Sequence, residues 1–143
     1  MVDEMTPQAR RAFLTSGTRT AILATTRADG RPHAVPVCFV LDGDDVLFLT
    51  NDGTAKGRDL QGDPRATLVV DDETPPFAFV MIEGTARLSR SPDDIDRVAP
   101  EIAQRYDGPD GIEDFVRFAH EALGTLVRVE PTKIVALDRV GEH

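Results

Sequence analysis

Lys56 and Arg58 stand two residues apart at the end of Thr50-Asn51-Asp52-Gly53-Thr54-Ala55, between the apolar runs Val46-Leu47-Phe48-Leu49 and Ala66-Thr67-Leu68-Val69-Val70. The order predicts a strand ending in a hydroxyl, a glycine turn, and a short helix carrying both cations in its first turn. Backbone N–H groups at a helix start have no intrahelical acceptor, and the helix dipole favours negative charge there. Lysine and arginine in that position oppose the dipole, so a bound anion such as a phosphate would compensate them. The hydroxyls of Thr50 and Thr54 could assist such a clamp. The plainer alternative is a solvated helix start in which Arg58 pairs with Asp59 or Asp63.

The setting makes the cluster more informative. The chain has 143 residues, is 41% hydrophobic, and carries a net charge of -9, with a pI near 4.7. This length suits one domain over residues 1–143. The acidic balance argues against nucleic acid as a partner, because phosphate backbones need a basic footprint, and against an anionic membrane surface. An acidic protein that holds an anion must do so with a local group of cations. Met1-Val2-Asp3-Glu4-Met5 is acidic and does not read as a secretory signal. No run is long enough to span a bilayer as a helix. The single cysteine, Cys38, allows neither an internal disulfide nor a cysteine metal site. Cytoplasmic residence is the expectation.

The elements that must position the cluster can be read along the chain. Thr6-Pro7 predicts an N-cap and first helical residue, with the helix ending at Ser16-Gly17. Thr20–Thr26 and His33–Val40 predict two strands joined by a hairpin at Asp29-Gly30. Val46–Thr50 predicts a third, completing a meander. Ala66–Val70 and the long Phe77–Leu88 follow, with Gly84 marking a bulge or a close backbone approach. A helix starts at Ser91-Pro92, breaks or kinks at Pro100 and extends towards Tyr106. After Asp107–Gly111, the spacing of Ile112, Phe115, Val116, Ala119 and Leu123 predicts an amphipathic helix closed by Gly124. Thr125–Val129 and Lys133–Leu137 predict two final strands. The sum is about six or seven mostly antiparallel strands with flanking helices. Apolar residues on both faces of several strands favour a closed or split barrel over a sheet with one wet face.

The remaining candidates for chemistry are few. Pro36 lies inside a strand and cannot donate to a ladder, so it marks an edge or a bulge. Such a gap either protects the edge or leaves backbone free to meet a ligand. His33, His120 and His143 share no metal-ligand spacing. No Ser-His-Asp or Cys-His arrangement can be argued, and no glycine motif for dinucleotides is present. Catalytic side chains and metal ligands are therefore both predicted to be none. The residues alone suit a binding module as well as an enzyme.

The order of motifs resembles a known superfamily. It runs Asp29-Gly30-Arg31-Pro32, a strand with Pro36-Val37, a strand ending in Thr50, Thr54-Ala55-Lys56-Gly57-Arg58-Asp59-Leu60, Asp63-Pro64-Arg65, then Glu83-Gly84-Thr85-Ala86. Over roughly residues 16–138 this is similar to the pyridoxamine 5'-phosphate oxidase-like proteins with the flavin-binding split β-barrel. Within them it most resembles the actinobacterial flavin/deazaflavin oxidoreductases that use coenzyme F420. The resemblance implies a mainly β (α+β) fold, an antiparallel split β-barrel, assembled as a homodimer with cofactor sites at the interface. It implies an oxidoreductase that passes a hydride from reduced F420 to a conjugated small-molecule acceptor. FMN is the alternative cofactor, and a non-catalytic flavin or tetrapyrrole binder is the alternative function. Carried onto this sequence, Lys56 and Arg58 would hold the cofactor's phosphate-bearing tail, with Thr50, Asn51, Thr54 and Ala55 around it. Val35, Pro36 and Val37 would line the ring, and the facing chain would add Phe79 and Met81. The basic and aromatic residues of true pyridoxamine phosphate oxidases, including their Arg- and Trp-containing C-terminus, are missing.

Overall fold

The computed structural model describes residues 2–141, so Met1 and His143 lie outside the described residues. Helix α1 (Pro7–Thr15) begins where Thr6 and Pro7 place it, with the Thr6 hydroxyl accepting the Ala9 amide at 3.1 Å. The described residues form eight strands: β1 (Asp3–Glu4), β2 (Ala21–Thr26), β3 (Pro32–Val37), β4 (Val40–Asp42), β5 (Asp45–Thr50), β6 (Arg65–Asp72), β7 (Ala78–Ser89) and β8 (Thr125–Asp138). They form one sheet in the order β3-β2-β6-β7-β8-β5-β4, with β1 added to β8, and every pairing is antiparallel. The sheet wraps around Leu23, Phe39, Phe48, Leu68, Val80, Ile82 and Val127, all fully buried. This is the split barrel. A second core lies outside it, where Leu47 of β5 and Leu126 of β8 meet Ile95, Val98, Ala99 and Ile102 of α3 (Pro92–Tyr106).

The expected meander is not formed. His33–Val40 is not one strand: the ladder stops after Val37 and resumes at Val40, and the two pieces lie at opposite ends of the sheet. The reason is Phe39, which is wholly buried. Turning its ring into the barrel bends the chain at Cys38-Phe39 and carries it from the β3 edge to the β4 edge. Pro36 thus sits on a true edge strand, paired on one side only with Ile22. The two predicted C-terminal strands are a single strand, β8, which absorbs an irregular register opposite Glu83-Gly84. A bulge lets one strand change its twist without ending.

The helices depart from expectation in the same way. Pro100 does not break α3, which continues to Tyr106. One missing backbone bond costs about 3 kcal/mol. Burying Ile95, Val98, Ala99, Ile102 and Ala103 on one face outweighs it, at about 0.8 kcal/mol per CH2. The helix predicted over Ile112–Leu123 divides into α4 (Ile112–Phe118) and a π-helical turn, Ala119–Leu123. Gly124 closes it at φ 88°, the left-handed conformation that the cap requires.

The C-terminus of α3 seals the seam. The Tyr106 hydroxyl accepts the Phe39 amide at 3.1 Å and donates to the Arg19 carbonyl at 2.6 Å. The Arg105 guanidinium donates to the carbonyls of Leu14, Gly17 and Phe39 at 2.7, 3.0 and 2.8 Å. These bonds satisfy the Phe39 amide and carbonyl, which the bend has taken out of the ladder, and the carbonyls of Leu14, Gly17 and Arg19, all of which would be costly to bury unpaired. Tyr106→Phe leaves the Phe39 amide and the Arg19 carbonyl without their partner. We expect a loss of about 1–3 kcal/mol, read as a lower urea midpoint with an unchanged slope; an unmoved midpoint would show that the hydroxyl does not hold the seam.

Candidate functional site

The segment singled out by its cations is a tightly tied turn leading into α2 (Ala55–Gly62). Thr50 ends β5 and is buried, and its hydroxyl lies 3.1 Å from that of Thr54. Thr54 is the N-cap: its hydroxyl accepts the Gly57 amide at 3.2 Å and donates to the Asn51 carbonyl at 2.7 Å. Asn51 uses both ends of its amide, accepting from the Gly53 N–H at 2.8 Å and donating to the Ala122 carbonyl at 3.0 Å. Gln61 reaches back to the Asp52 carbonyl. Gly57 is required because a Cβ there would stand 2.4 Å from the Asn51 carbonyl oxygen. Both hydroxyls are therefore spent on the turn itself, and the Asn51 side chain is divided between the turn and the Ala122 carbonyl.

The two cations are parted by this geometry. Arg58 folds back to the Gly53 carbonyl at 2.5 Å and lines a cleft of about 870 Å³ with Ala55, Arg27, Asp29, Asp59 and Asp63. It does not pair with either neighbouring acid. Arg65 beside Asp63 holds that carboxyl down to about 2, and Asp59 accepts the Thr25 hydroxyl at 2.8 Å. Lys56 lines a different cleft, of about 200 Å³, together with Pro36, Val37, Cys38, Leu49, Ile102, Phe115 and Leu123. It is half-buried, and no hydrogen bond or ion pair among the described residues engages its ammonium. A half-buried lysine whose ammonium no described residue engages stands out in a protein with 25 acidic residues.

This smaller cleft is the gap in the split barrel, opening between the end of β3 and Leu49 of β5. Pro36 and Val37 lie on its rim. Val35 is paired with Leu23 and shares the barrel side of β3. Phe79 and Met81 stand elsewhere, on the outer face of β7. Sequence reading missed Cys38, Leu49, Ile102, Phe115 and Leu123 as cleft residues, because an apolar residue on a helix stripe reads the same whether it faces a core or a cleft. Cys38 is exposed, yet partial desolvation and then the Asp107 carboxylate push its thiol pKa up. His33, which shares no metal-ligand spacing with the other histidines, lies near a carboxylate in the fold. Its Nδ1 is buried without a hydrogen-bond partner, 3.9 Å from Asp59; only the tertiary fold brings them together. His120 pairs with Asp96 at 2.6 Å on the surface. Among the described residues no three His, Cys, Asp or Glu side chains are grouped to hold a metal. No helix among them is long and apolar enough to cross a membrane.

With the barrel, its split and the lysine turn in place, comparison with known proteins gives a direct answer. The model of the pyridoxamine 5'-phosphate oxidase family matches residues 6–134. The chain belongs to that family. Among solved structures, this family member is similar to a conserved hypothetical protein of Mycobacterium tuberculosis, at 28% identity and a TM-score of 0.84 over 94% of this chain and 86% of that one. An F420 reductase shares the fold at 23% identity and a TM-score of 0.66, over 86% of this chain and 94% of that one. So does HutZ, the heme storage protein of Vibrio cholerae, at 18% identity and a TM-score of 0.74, over 94% and 96%. The family includes oxidoreductases, and its flavin-, F420- and heme-related neighbours share one scaffold.

In this family member the turn is anchored to the rest of the molecule through Asp52, whose carboxylate accepts from Arg90 Nε at 2.5 Å and from the Thr125 hydroxyl at 2.7 Å. Arg90, and then Thr125, hold its carboxyl below the usual carboxylate range. A depressed folded-state pKa contributes stability above the unfolded value, about 3.9, that is lost as pH falls through the folded value. Asp52→Asn should therefore melt below the wild type at pH 7, with the gap narrowing in melts taken below about pH 4. A gap independent of pH would mean that the charge is not what anchors the turn.

Proposed function

We propose that the protein is a coenzyme F420-dependent reductase that delivers a hydride to a conjugated small-molecule acceptor, as a homodimer with its cofactor sites at the interface. The observation that carries this reading is the unpaired Lys56 ammonium at the mouth of the apolar slot made by the barrel's split. The residues fit such a group. A phosphate at Lys56 would satisfy the ammonium and could meet the Ala55 and Lys56 amides, which precede the helix's own bonds, the Gly57 amide being capped by Thr54. The slot beside it offers Pro36, Val37 and Leu49 to a flat ring. The F420 reductase among the structural neighbours supports the choice of cofactor.

When bound, a deazaflavin supplies the hydride chemistry. What this chain's residues then have to do is limited and specific. Lys56 holds the anionic tail. Pro36, Val37 and Leu49 pack the ring and keep water from it. The Thr50–Thr54 pair and Asn51 hold the turn that aims Lys56. The side chains lining the Lys56 slot include no histidine or carboxylate that could move a proton, in keeping with a protein whose part is positioning.

A slot of about 200 Å³ falls below the range of about 300–1,000 Å³ for small-molecule sites, so a cofactor must be covered by surface beyond it. Pro36 supplies the link. On the outer sheet face the register aligns Pro36, Ile22, Val69, Met81 and Val135 in one row across five strands, with Phe79 and Leu137 alongside. Ile22 is 44% exposed. An apolar row of this kind marks an interaction surface, and a second copy laid on it would wall the slot at Pro36 and bring its own Phe79 and Met81 near.

Two measurements test the reading. Equilibrium titration with F420 and FMN side by side should show tighter F420 binding, weakened about ten-fold or more by Lys56→Ala. Tighter FMN binding would reassign the cofactor, and unchanged affinity in the variant would remove the lysine from the site. Met81→Arg places a charge in the apolar row and should convert the dimer to monomer in sedimentation, with cofactor affinity falling in step. A variant that stays dimeric would place the interface elsewhere.

A further inference from the structure

The Lys56 slot has two walls of unequal stiffness. Pro36 and Val37 belong to β3, which is held to β2 by six register pairs. Leu49 lies in β5, between β8 and β4, and Ile102 is buried on α3. The opposite wall is Phe115 and Leu123, carried on the segment Ile112–Leu123. That segment has one fully buried side chain, Ala119, where α3 has five. It ends in a π turn, an irregularity often found at functional sites. It is bracketed by Gly108 and Gly124 at φ 81° and 88°. Its side-chain hydrogen bonds to the rest of the described chain are two, the Asn51 amide on the Ala122 carbonyl and His120 on Asp96, and its apolar attachment is Ala119 in the second core with Phe115, Val116 and Leu123 only partly buried against it. Phe118, 51% exposed, extends its aromatic surface beside Phe115 with ring centroids 6.2 Å apart.

At about 200 Å³ the slot lies below the usual size of a small-molecule site, and elements with few fully buried side chains are the ones that yield. We propose that Ile112–Leu123 is the movable wall of this site and that Phe115 is the side chain that meets the flat face of a planar ring lodged against Pro36 and Val37. The inference deepens the reading of the slot as a cofactor site, but its ligand need not be anionic. Aromatic faces gain from stacking independently of any charge on the ligand's tail.

Lumichrome, a tricyclic alloxazine without a phosphate tail, separates the two ideas. Hydrogen exchange on the full-length protein should show amides of 112–123 exchanging at least ten-fold faster than those of α3, and slowing when lumichrome is added. Phe115→Ala should weaken both lumichrome and FMN by about five-fold, with Phe115→Leu giving a smaller loss in a fold of unchanged circular dichroism. Lys56→Ala should weaken FMN alone and leave lumichrome within two-fold. Absence of lumichrome binding, lumichrome affinity that Phe115→Ala and Phe115→Leu leave within two-fold, or exchange in 112–123 as slow as in α3 would each overturn the proposal. If Lys56→Ala leaves FMN and F420 unaffected while the Phe115 variants behave as expected, the cofactor-tail reading fails and the movable wall stands.

Discussion

The bend at Cys38-Phe39 is the constraint on which the rest of the structure depends. A strand that turns there cannot keep its ladder, so β3 and β4 become the two free edges of one sheet. Burying Phe39 fills the barrel, and the backbone groups freed by the turn need partners that the sheet cannot give. Tyr106 and Arg105 supply them, which fixes the end of α3 against the seam. The same bend holds β3 away from β5, and the space between them is the slot beside Lys56. Core packing, edge satisfaction and the opening of a site are thus consequences of one buried ring.

The lysine turn shows a second trade of the same kind. Its hydroxyls and its amide side chain are consumed in holding a shape, and Gly57 is there because the Asn51 carbonyl leaves no room for a Cβ. What such rigidity provides is direction. Of the two cations on the first turn of α2, one is folded onto a carbonyl and the other has no partner among the described residues. With its acidic neighbours bound to Arg65, Arg90 and Thr25, no nearby carboxylate is left to claim that ammonium.

Much of this was legible from residue order. Thr6-Pro7, Asp29-Gly30 and Gly124 act locally, through caps and turns whose chemistry is complete within a few residues, and each sits where its type predicts. The split barrel followed from strands apolar on both faces and from the resemblance of the motif order. What could not be read was non-local. Val37 and Val40 look like one strand until Phe39 has a barrel to enter. Pro100 looks like a break until α3 has a face to bury. Lys56 and Arg58 look like one clamp until the helix turn sends them to separate clefts, and nothing in the spacing of His33 and Asp59 announces that they meet.

Pro36 joins these two scales. Its ring removes a donor from an edge strand, a local property that guards against further strand pairing. Its position at the end of β3 makes it a wall of the slot on one side and the start of an apolar row on the other. A residue that belongs to both surfaces couples them: whatever covers the row also completes the slot. On the proposed reading, assembly and cofactor binding are then linked equilibria, each strengthening the other by the same factor. On that reading the single chain's shallow slot and its outer apolar row are two aspects of one incomplete site, and burying the row is what would give an anion at Lys56 a dry neighbourhood in which a charge-assisted bond is strong.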